Sequence, residues 1–282
     1  MGAPHEQSGL CISIVTYEPD FVVLERTLTS LARALSHASQ QALLGRRVVV
    51  LVDNGPGKDQ ARPLRELAVR TLRPASPDSL VVQSGQGNVG YGRGHNLAMV
   101  QSTEQYHLVL NPDVVLELDS IAEALRFMRS HAEIGLITPA ARGAQGETHY
   151  LCKRYPSVLD LLLRGFAPRP LKHLFSRRLA RYEMRDEVGE AVVVDVPIAS
   201  GSFMFLRRET LVAVGGFADA YFMYFEDFDL SVRIGRVARI AYVPEVRITH
   251  FGGDAARKGW KHIGMFIQSG VTFFSRNGWK WC

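Results

Sequence analysis

Hydrophobic positions recur along this chain with two alternating periods. Leu10-Cys11-Ile12-Ser13-Ile14-Val15 is a buried-strand run that ends at the polar turn Thr16-Tyr17-Glu18-Pro19. Leu24, Leu28, Leu31 and Leu35 follow at three- and four-residue spacing, the stripe of a helix. Arg47 to Val52 is a β-branched run of the kind covered on both faces, closed by the turn residues Asp53-Asn54-Gly55-Pro56-Gly57. Leu64, Leu67 and Thr71 predict a helix, Leu80 to Gln83 a strand, and Asn96 to Ser102 a further helix after a glycine-rich turn. His107 to Leu110 reads as a strand closed by Asn111-Pro112-Asp113; Ile121, Leu125 and Met128 mark a helix, and Ile134 to Thr138 a fifth strand. Strands alternating with helices predict βαβ units and a mostly parallel sheet over the first ~140 residues. Ligands of such sheets bind beyond the carboxyl ends of the strands, where Thr16-Tyr17, Asp53-Asn54, Asn88 and Asp113 all fall.

After Gly146 the pattern changes. Residues 150–186 are basic and leucine-rich, and Pro168 and Pro170 divide them into two predicted short helices. Such a segment suits an anionic membrane surface, with Lys153 to Arg185 making the contact, or an ordinary solvated helix pair. Ala191 to Ile198 and Phe203 to Leu206 read as strands around Ala199-Ser200-Gly201-Ser202. Glu209 to Val214 is a short helix stopped by Gly215-Gly216, and strands are expected near Arg239–Val243 and Val246–Thr249. With no repeat and no low-complexity linker, residues 1–282 read as a single composite domain. Residues 10–140 form its ligand-binding half and residues 190–282 its catalytic half.

Composition narrows the partners. A net charge of +5 and a pI near 9.2 favour an anionic ligand. Beyond that basic balance the chain shows no nucleic-acid motif, and none is expected as a partner. Cys11, Cys152 and Cys282 make neither a metal spacing nor a disulfide framework. Met1 to Gly9 carry no signal-like stretch, and no run approaches the ~18 apolar residues of a spanning helix. The expectation is a cytoplasmic protein, with a peripheral place on the inner face of the membrane left open.

The densest chemistry lies at Tyr221-Phe222-Met223-Tyr224-Phe225-Glu226-Asp227-Phe228-Asp229-Leu230. Carboxylates behind an aromatic wall are poorly solvated, which raises a carboxyl pKa toward that of a general base. The bland alternative is acidic residues complementing a helix N-terminus. Gly85-Gln86-Gly87-Asn88-Val89-Gly90 matches a dinucleotide-binding fingerprint. It follows the third strand rather than the first, and glycines continue at Gly92 and Gly94, so that reading is set aside. Asp113 is better suited to a hard divalent cation on a pyrophosphate, which needs only one or two protein carboxylates, and His250 could join it.

Taken in order, eight motifs resemble the inverting GT-A glycosyltransferases of family 2, most of all the bacterial rhamnosyltransferases of surface polysaccharide synthesis. They are Thr16-Tyr17, Val52-Asp53-Asn54-Gly55, Asn88 to Asn96, Leu110-Asn111-Pro112-Asp113, Ser200-Gly201, Gly215-Gly216-Phe217, Tyr224 to Leu230 and His250-Phe251-Gly252-Gly253. The resemblance implies an α/β GT-A (Rossmann-like) fold with a mostly parallel central sheet and a C-terminal acceptor-side subregion. It implies that Thr16, Tyr17, Asp53 and Asn54 hold a nucleoside. Asn88, Gly90, Arg93, Asn96, Asn111, Asp113, Ser200 and Gly201 would complete the nucleotide-sugar site, with Arg93 near the diphosphate. Asp113, with His250, would bind Mg²⁺ or Mn²⁺. Asp227 would be the general base, and Glu226 would orient an acceptor hydroxyl or a helix end; Asp229 could instead pair with Arg233 one turn on. The implied donor is dTDP-L-rhamnose, with a UDP- or GDP-sugar as alternative, and the implied acceptor is a lipid-linked or lipopolysaccharide glycan. A catalytically silent sugar-nucleotide binder is the rival of another class. Asn111 stands where the family has the first Asp of D-x-D, and Glu18 where many relatives have Asn, which weakens the metal expectation more than the reaction.

Overall fold

The computed structural model describes residues 7–56, 61–252 and 260–282. Its first half is the expected alternation: β1 (Ser8–Thr16), α1 (Phe21–Gln40), β2 (Leu44–Asp53), α2 (Ala61–Leu72), β3 (Ser79–Gln83), α3 (Tyr91–Met99), β4 (Tyr106–Leu110), β5 (Val114–Leu116), α4 (Ser120–Ser130) and β6 (Ile134–Arg142), with β5 the one unforeseen strand. Next come β7 (Thr148–His149), β8 (Cys152–Lys153), α5 (Val158–Phe166), α6 (Arg169–Leu174) and α7 (Ser176–Tyr182). The chain ends with β9 (Val193–Val194), β10 (Ile198–Ala199), β11 (Phe203–Arg207), α8 (Arg208–Ala213), α9 (Glu226–Ile234), β12 (Arg239–His250) and α10 (Trp260–Asn277).

The main sheet runs β3-β2-β1-β4-β11-β6-β12-β5. β3, β2, β1 and β4 are parallel, and so are β6 and β12; β11 and β5 run against their neighbours. Alternation along β11 sends Phe203 and Phe205 into the core under α1, α2 and α4. Met204 and Leu206 go to the opposite face, with Phe217, Leu230 and Ile234. A separate aromatic cluster of Tyr221, Phe225, Phe273 and Phe274 ties the start of α9 to α10.

Register brings the rim together. Thr16 pairs Asp53 across β1 and β2, Ile14 pairs Leu110 across β1 and β4, and Phe203 pairs Leu110 at the start of β11. Because β5 runs antiparallel to β12, Val114 faces His250, and the preceding Asp113 lands beside that histidine.

Several elements differ from expectation. α3 starts at Tyr91 rather than Asn96: Gly90, at φ 90°, forms its N-cap, and Gly92 lies inside the helix, where a Cβ would stand 2.8 Å from Phe217. Gly92 lets the helix pack closely rather than delaying it. The basic segment makes three short helices, not two, and its Lys153 is buried. Residues 191–198 carry only two short ladders, separated by Asp195 at φ 65°. The two C-terminal strands are one, β12, with a register shift between Val243 and Arg247 that absorbs Pro244. Helix α10 was not foreseen. Gly57 and Gly253, singled out in two motifs, lie outside the described residues.

Candidate active site

Tyr224 (φ 70°) and Phe225 (φ 65°) are consecutive left-handed residues without the freedom of glycine. Such conformations cost of order 1–3 kcal/mol each and persist where the surroundings over-determine them. Here the Phe225 ring is wedged against Phe228, Phe266 and Phe273 at centroid distances of 5.0–5.5 Å. The bend starts α9 abruptly, so that Glu226 and Asp227 fall in its first turn, next to the positive end of its dipole.

The two carboxylates have different surroundings. Asp227 is half-buried, and its Oδ2 accepts the Gly201 N–H at 2.8 Å while Oδ1 accepts the Phe228 N–H at 2.9 Å. Burial raises its pKa, and those two N–H groups, with the nearby Lys153 charge, pull it back. Glu226 is buried, and its Oε2 has no hydrogen-bond partner. Burial first, and the neighbouring Asp227 charge second, push its carboxyl far above the ordinary range. The surroundings thus favour the proton on Glu226 over Asp227. Asp229 is a separate case: it is buried, bonded to Arg233 Nε at 2.7 Å and to the Tyr221 hydroxyl at 3.2 Å, the structural pairing its spacing predicts.

On the opposite side of the rim, Asp53 is buried with Oδ1 on the Gly55 N–H and Oδ2 without a partner. Thr16 is buried and Tyr17 exposed beside it. Asn54 is held internally, its Nδ2 donating to the Gly90 carbonyl at 2.9 Å. Asn88 caps the turn into α3 through its Oδ1 and the Gly90 N–H. A Cβ on Gly90 would lie 2.3 Å from the Phe222 carbonyl, so this turn and the acidic loop touch backbone to backbone. Two expected donor ligands are already engaged. Arg93 donates to the Asp219 carbonyl at 2.6 Å, and Asn96 makes paired bonds to the Phe217 backbone at 2.8 and 2.9 Å. The Ser200 N–H bonds the Leu151 carbonyl.

Asp113 and His250 meet: His250 Nε2 lies 3.3 Å from Asp113 Oδ1, an otherwise unpartnered buried oxygen. Gly252 stands against this pair, and a Cβ there would come 1.9 Å from Asp113 Oδ2. No set of three or more candidate ligands occurs among the described residues. A carboxylate and an imidazole nevertheless fit a divalent cation whose other positions are filled by diphosphate oxygens and water.

Two further residues belong to the site. Tyr91, quoted within a motif but given no role there, is central. Its hydroxyl lies 2.9 Å from Asn111 Oδ1 and 2.5 Å from the Gly201 carbonyl. Burial, then the charges of Glu226, Asp227 and Asp113, hold this phenol strongly neutral. Lys153, expected on the surface, is buried in β8 and donates to the Tyr150 carbonyl. Burial lowers its pKa to about 7. β8 pairs with β10, the strand that leads into Ser200-Gly201. The signal for both was sequence position: an aromatic opening a glycine-flanked helix, and a lysine next to the buried Cys152.

Residues 9–262 match the family model described as Glycosyltransferase like family 2. The chain is 29% identical over 287 residues to an N-acetylglucosaminyl-diphospho-decaprenol L-rhamnosyltransferase of Mycobacterium tuberculosis, covering 96% of this chain and 86% of that protein. It is 26% identical over 175 residues to rhamnosyltransferase WbbL of Escherichia coli K12, covering 58% and 62% respectively. Among solved structures, GalNAc-T7 with UDP, GalNAc and Mn²⁺ superposes at TM-score 0.65 and 13% identity over 96% of this chain. Mannosyltransferase PcManGT of Pyrobaculum calidifontis with GDP-Man and Mn²⁺ superposes at 0.62 and 16% over 97%. The chain spans 48% and 65% of those two longer proteins, and at such identities the likeness shows the fold alone.

Proposed function

This chain belongs to glycosyltransferase-like family 2, and from that premise we propose that it transfers L-rhamnose from dTDP-L-rhamnose, with inversion, to a hydroxyl of a lipid-linked or lipopolysaccharide glycan. The observation that carries the reading is the carboxylate of Asp227. It is fixed by two backbone N–H groups on the same rim as Asp53 and the Asp113–His250 pair. The names of the two rhamnosyltransferase relatives favour this sugar, and the decaprenol diphosphate in the longer match favours a lipid-linked acceptor.

In this reading Asp53 and the exposed Tyr17 receive the nucleoside. Asp113 and His250 hold the divalent cation, Mg²⁺ or Mn²⁺, which when bound neutralises charge on the diphosphate. The acceptor hydroxyl lies against Asp227, which takes its proton as the oxygen bonds to the anomeric carbon. The bond from that carbon to the diphosphate oxygen breaks on the far face, and the nucleoside diphosphate leaves with the electron pair. Glu226, kept protonated, donates a hydrogen bond to an acceptor oxygen without competing for the proton. Tyr91 fixes the spacing between the two halves through Asn111 and Gly201.

A UDP- or GDP-sugar is the second reading, favoured by the nucleotides in the two solved neighbours. A thermal-shift panel of dTDP-, UDP- and GDP-sugars with and without Mn²⁺ separates the two. Stabilisation by dTDP-rhamnose above the others is expected. A larger shift with a UDP- or GDP-sugar would reassign the donor, and donor binding without turnover on any glycan would leave a silent binder.

A further inference from the structure

Charge is divided unevenly over this molecule. Residues 161–182 and 255–282 contain eleven Lys and Arg and no Asp or Glu. Against a net charge of +5 for the whole chain, the remainder carries more acidic than basic residues. The two segments are far apart in sequence, but the described end of the second, at residues 278–281, lies against the start of α5. The Val158 and Leu159 N–H groups at the start of α5 bond the Lys280 and Trp281 carbonyls, and the Tyr155 hydroxyl bonds the Gly278 carbonyl. α6 packs next to α5.

The same surface is apolar. On α10, Trp260, Gly264, Ile267 and Val271 form an exposed stripe at helical spacing, opposite the buried Ser269 and Phe273 and flanked by the buried Gly270 and Phe274. Leu162 and Phe166 are exposed one turn apart on α5. No residue of α6 is buried, and its Leu171 and Leu174 are exposed. Trp260, Leu174 and Trp281 are 88%, 75% and 66% exposed. Between α5 and α10 runs a groove of about 150 Å³ lined only by apolar side chains, with Phe225 among them. An exposed patch of this extent marks an interaction surface rather than scattered surface hydrophobes.

Some of the cations are neutralised within the protein. Arg178 pairs with Asp160 at 2.6 Å, Arg164 with Glu183 at 3.3 Å, and Arg276 lies 3.8 Å from Asp229. Arg169, Lys172, Arg177, Arg181 and Lys280 make no ion pair among the described residues. Arg169 and Lys172 share α6 with Leu171 and Leu174, and Lys280 lies between Trp279 and Trp281 in the chain.

We infer that the face formed by α5, α6 and α10 with the Trp279–Trp281 tail docks on an anionic phospholipid bilayer. Charge complementarity selects this occupant. A second copy of the chain would bring two acid-free basic faces together, and a polyanion such as RNA would leave the Leu174, Ile267 and Val271 stripes uncovered. An anionic bilayer interface accepts both, with ammonium and guanidinium groups at the lipid phosphates and indole and aliphatic groups at the acyl boundary. None of the described helices is long and apolar enough to cross a membrane, so the contact is interfacial. It overlaps the Lys153–Arg185 segment that the sequence suggested, without the buried Lys153 and with α10 added. The inference holds whatever the donor sugar. Because Phe225 both lines the groove and precedes Glu226, the docked face lies next to the acceptor side of the site.

The test is co-sedimentation of the full chain with vesicles of phosphatidylglycerol and phosphatidylcholine in equal parts, against phosphatidylcholine alone, with tryptophan emission as a second readout. Binding to the anionic vesicles, a blue-shifted emission and weakening by salt are expected. Two double variants at positions that are not buried, Ile267→Glu with Val271→Glu and Arg169→Glu with Lys172→Glu, should each weaken partitioning by at least about tenfold. Their melting curves should match that of the parent. Absence of binding, or equal binding by parent and variants, overturns the inference. A dimer in sedimentation velocity that the same variants dissolve would assign the face to a second copy and also overturn it.

Discussion

Glu226 and Asp227 are adjacent in the chain but differently solvated, and in the proposed mechanism that difference assigns the base to Asp227. Asp227 has two N–H donors that stabilise its charge, whereas Glu226 Oε2 has none. Asp227→Asn keeps the shape and removes the proton acceptor. Transfer should fall at least about a hundredfold with donor affinity within a few-fold; normal turnover would dismiss the assignment. Glu226 carries a pH signature. The folded protein holds its proton more tightly than the unfolded chain does, because burial raises the pKa above the ordinary 4.5. Between the ordinary and the raised value the folded state binds more protons, so stability falls as pH rises through that window. Glu226→Gln removes this titration. Its melting temperature should therefore gain on the parent between about pH 5 and about pH 8, and a difference constant with pH would place an ionised Glu226 in the fold. The residues of the rim were legible because turn chemistry at strand ends is local, and the Asp229–Arg233 pairing because helical spacing is. Tyr91 and Lys153 were not: what makes them part of the site is contact with Gly201 and the strand leading to it, roughly 110 and 48 positions away.

At the scale of elements, α3 does more than line a pocket. Its Asn96 and Arg93 clamp the 217–219 backbone, its Gly90 touches Phe222, and Tyr91 spans from Asn111 to Gly201. The helix thus connects the Asn111–Asp113 turn to the loop that carries Glu226 and Asp227. Tyr91→Phe removes the one O–H donor shared between Asn111 Oδ1 and the Gly201 carbonyl, a loss of about 1–3 kcal/mol if the acceptor left without it remains dry. The expected outcome is a lower melting temperature together with a kcat loss larger than the change in donor KM, measured by steady-state kinetics. Equal loss in both, or none, would reduce the tyrosine to packing. The start of α3 was misjudged because glycine counts against a helix by propensity, while here Gly92 and Gly94 serve close packing on Phe217 and Val15. α10 was missed for a related reason. Gly264 and Gly270 interrupt its pattern, and its apolar residues cover two faces, one packed on Phe225 and one exposed.

Over the whole molecule, the β1–β4 rim and the turn into α9 rest on different cores. The β1–β4 rim stands on the cluster beneath α1, α2 and α4. The left-handed bend at Tyr224–Phe225 rests on the aromatic cluster with α10, where Phe273 is fully buried and lies 5.5 Å from Phe225, 6.0 Å from Phe228 and 5.4 Å from Tyr155. That separation can be tested away from any reacting group. Phe273→Ala should cost about 3–5 kcal/mol through the cavity it leaves, read from urea unfolding. The bend would then lose its wedge, and the carboxylate of Asp227, one turn of backbone away, would lose its alignment with the Gly201 N–H. kcat should therefore fall while the affinity for the nucleotide-sugar stays within a few-fold, because no part of the β1–β4 rim packs on Phe273. If donor affinity fell in step with kcat, the two halves would act as one mechanical unit, and the strain at Tyr224–Phe225 would have to be carried by the sheet rather than by α10.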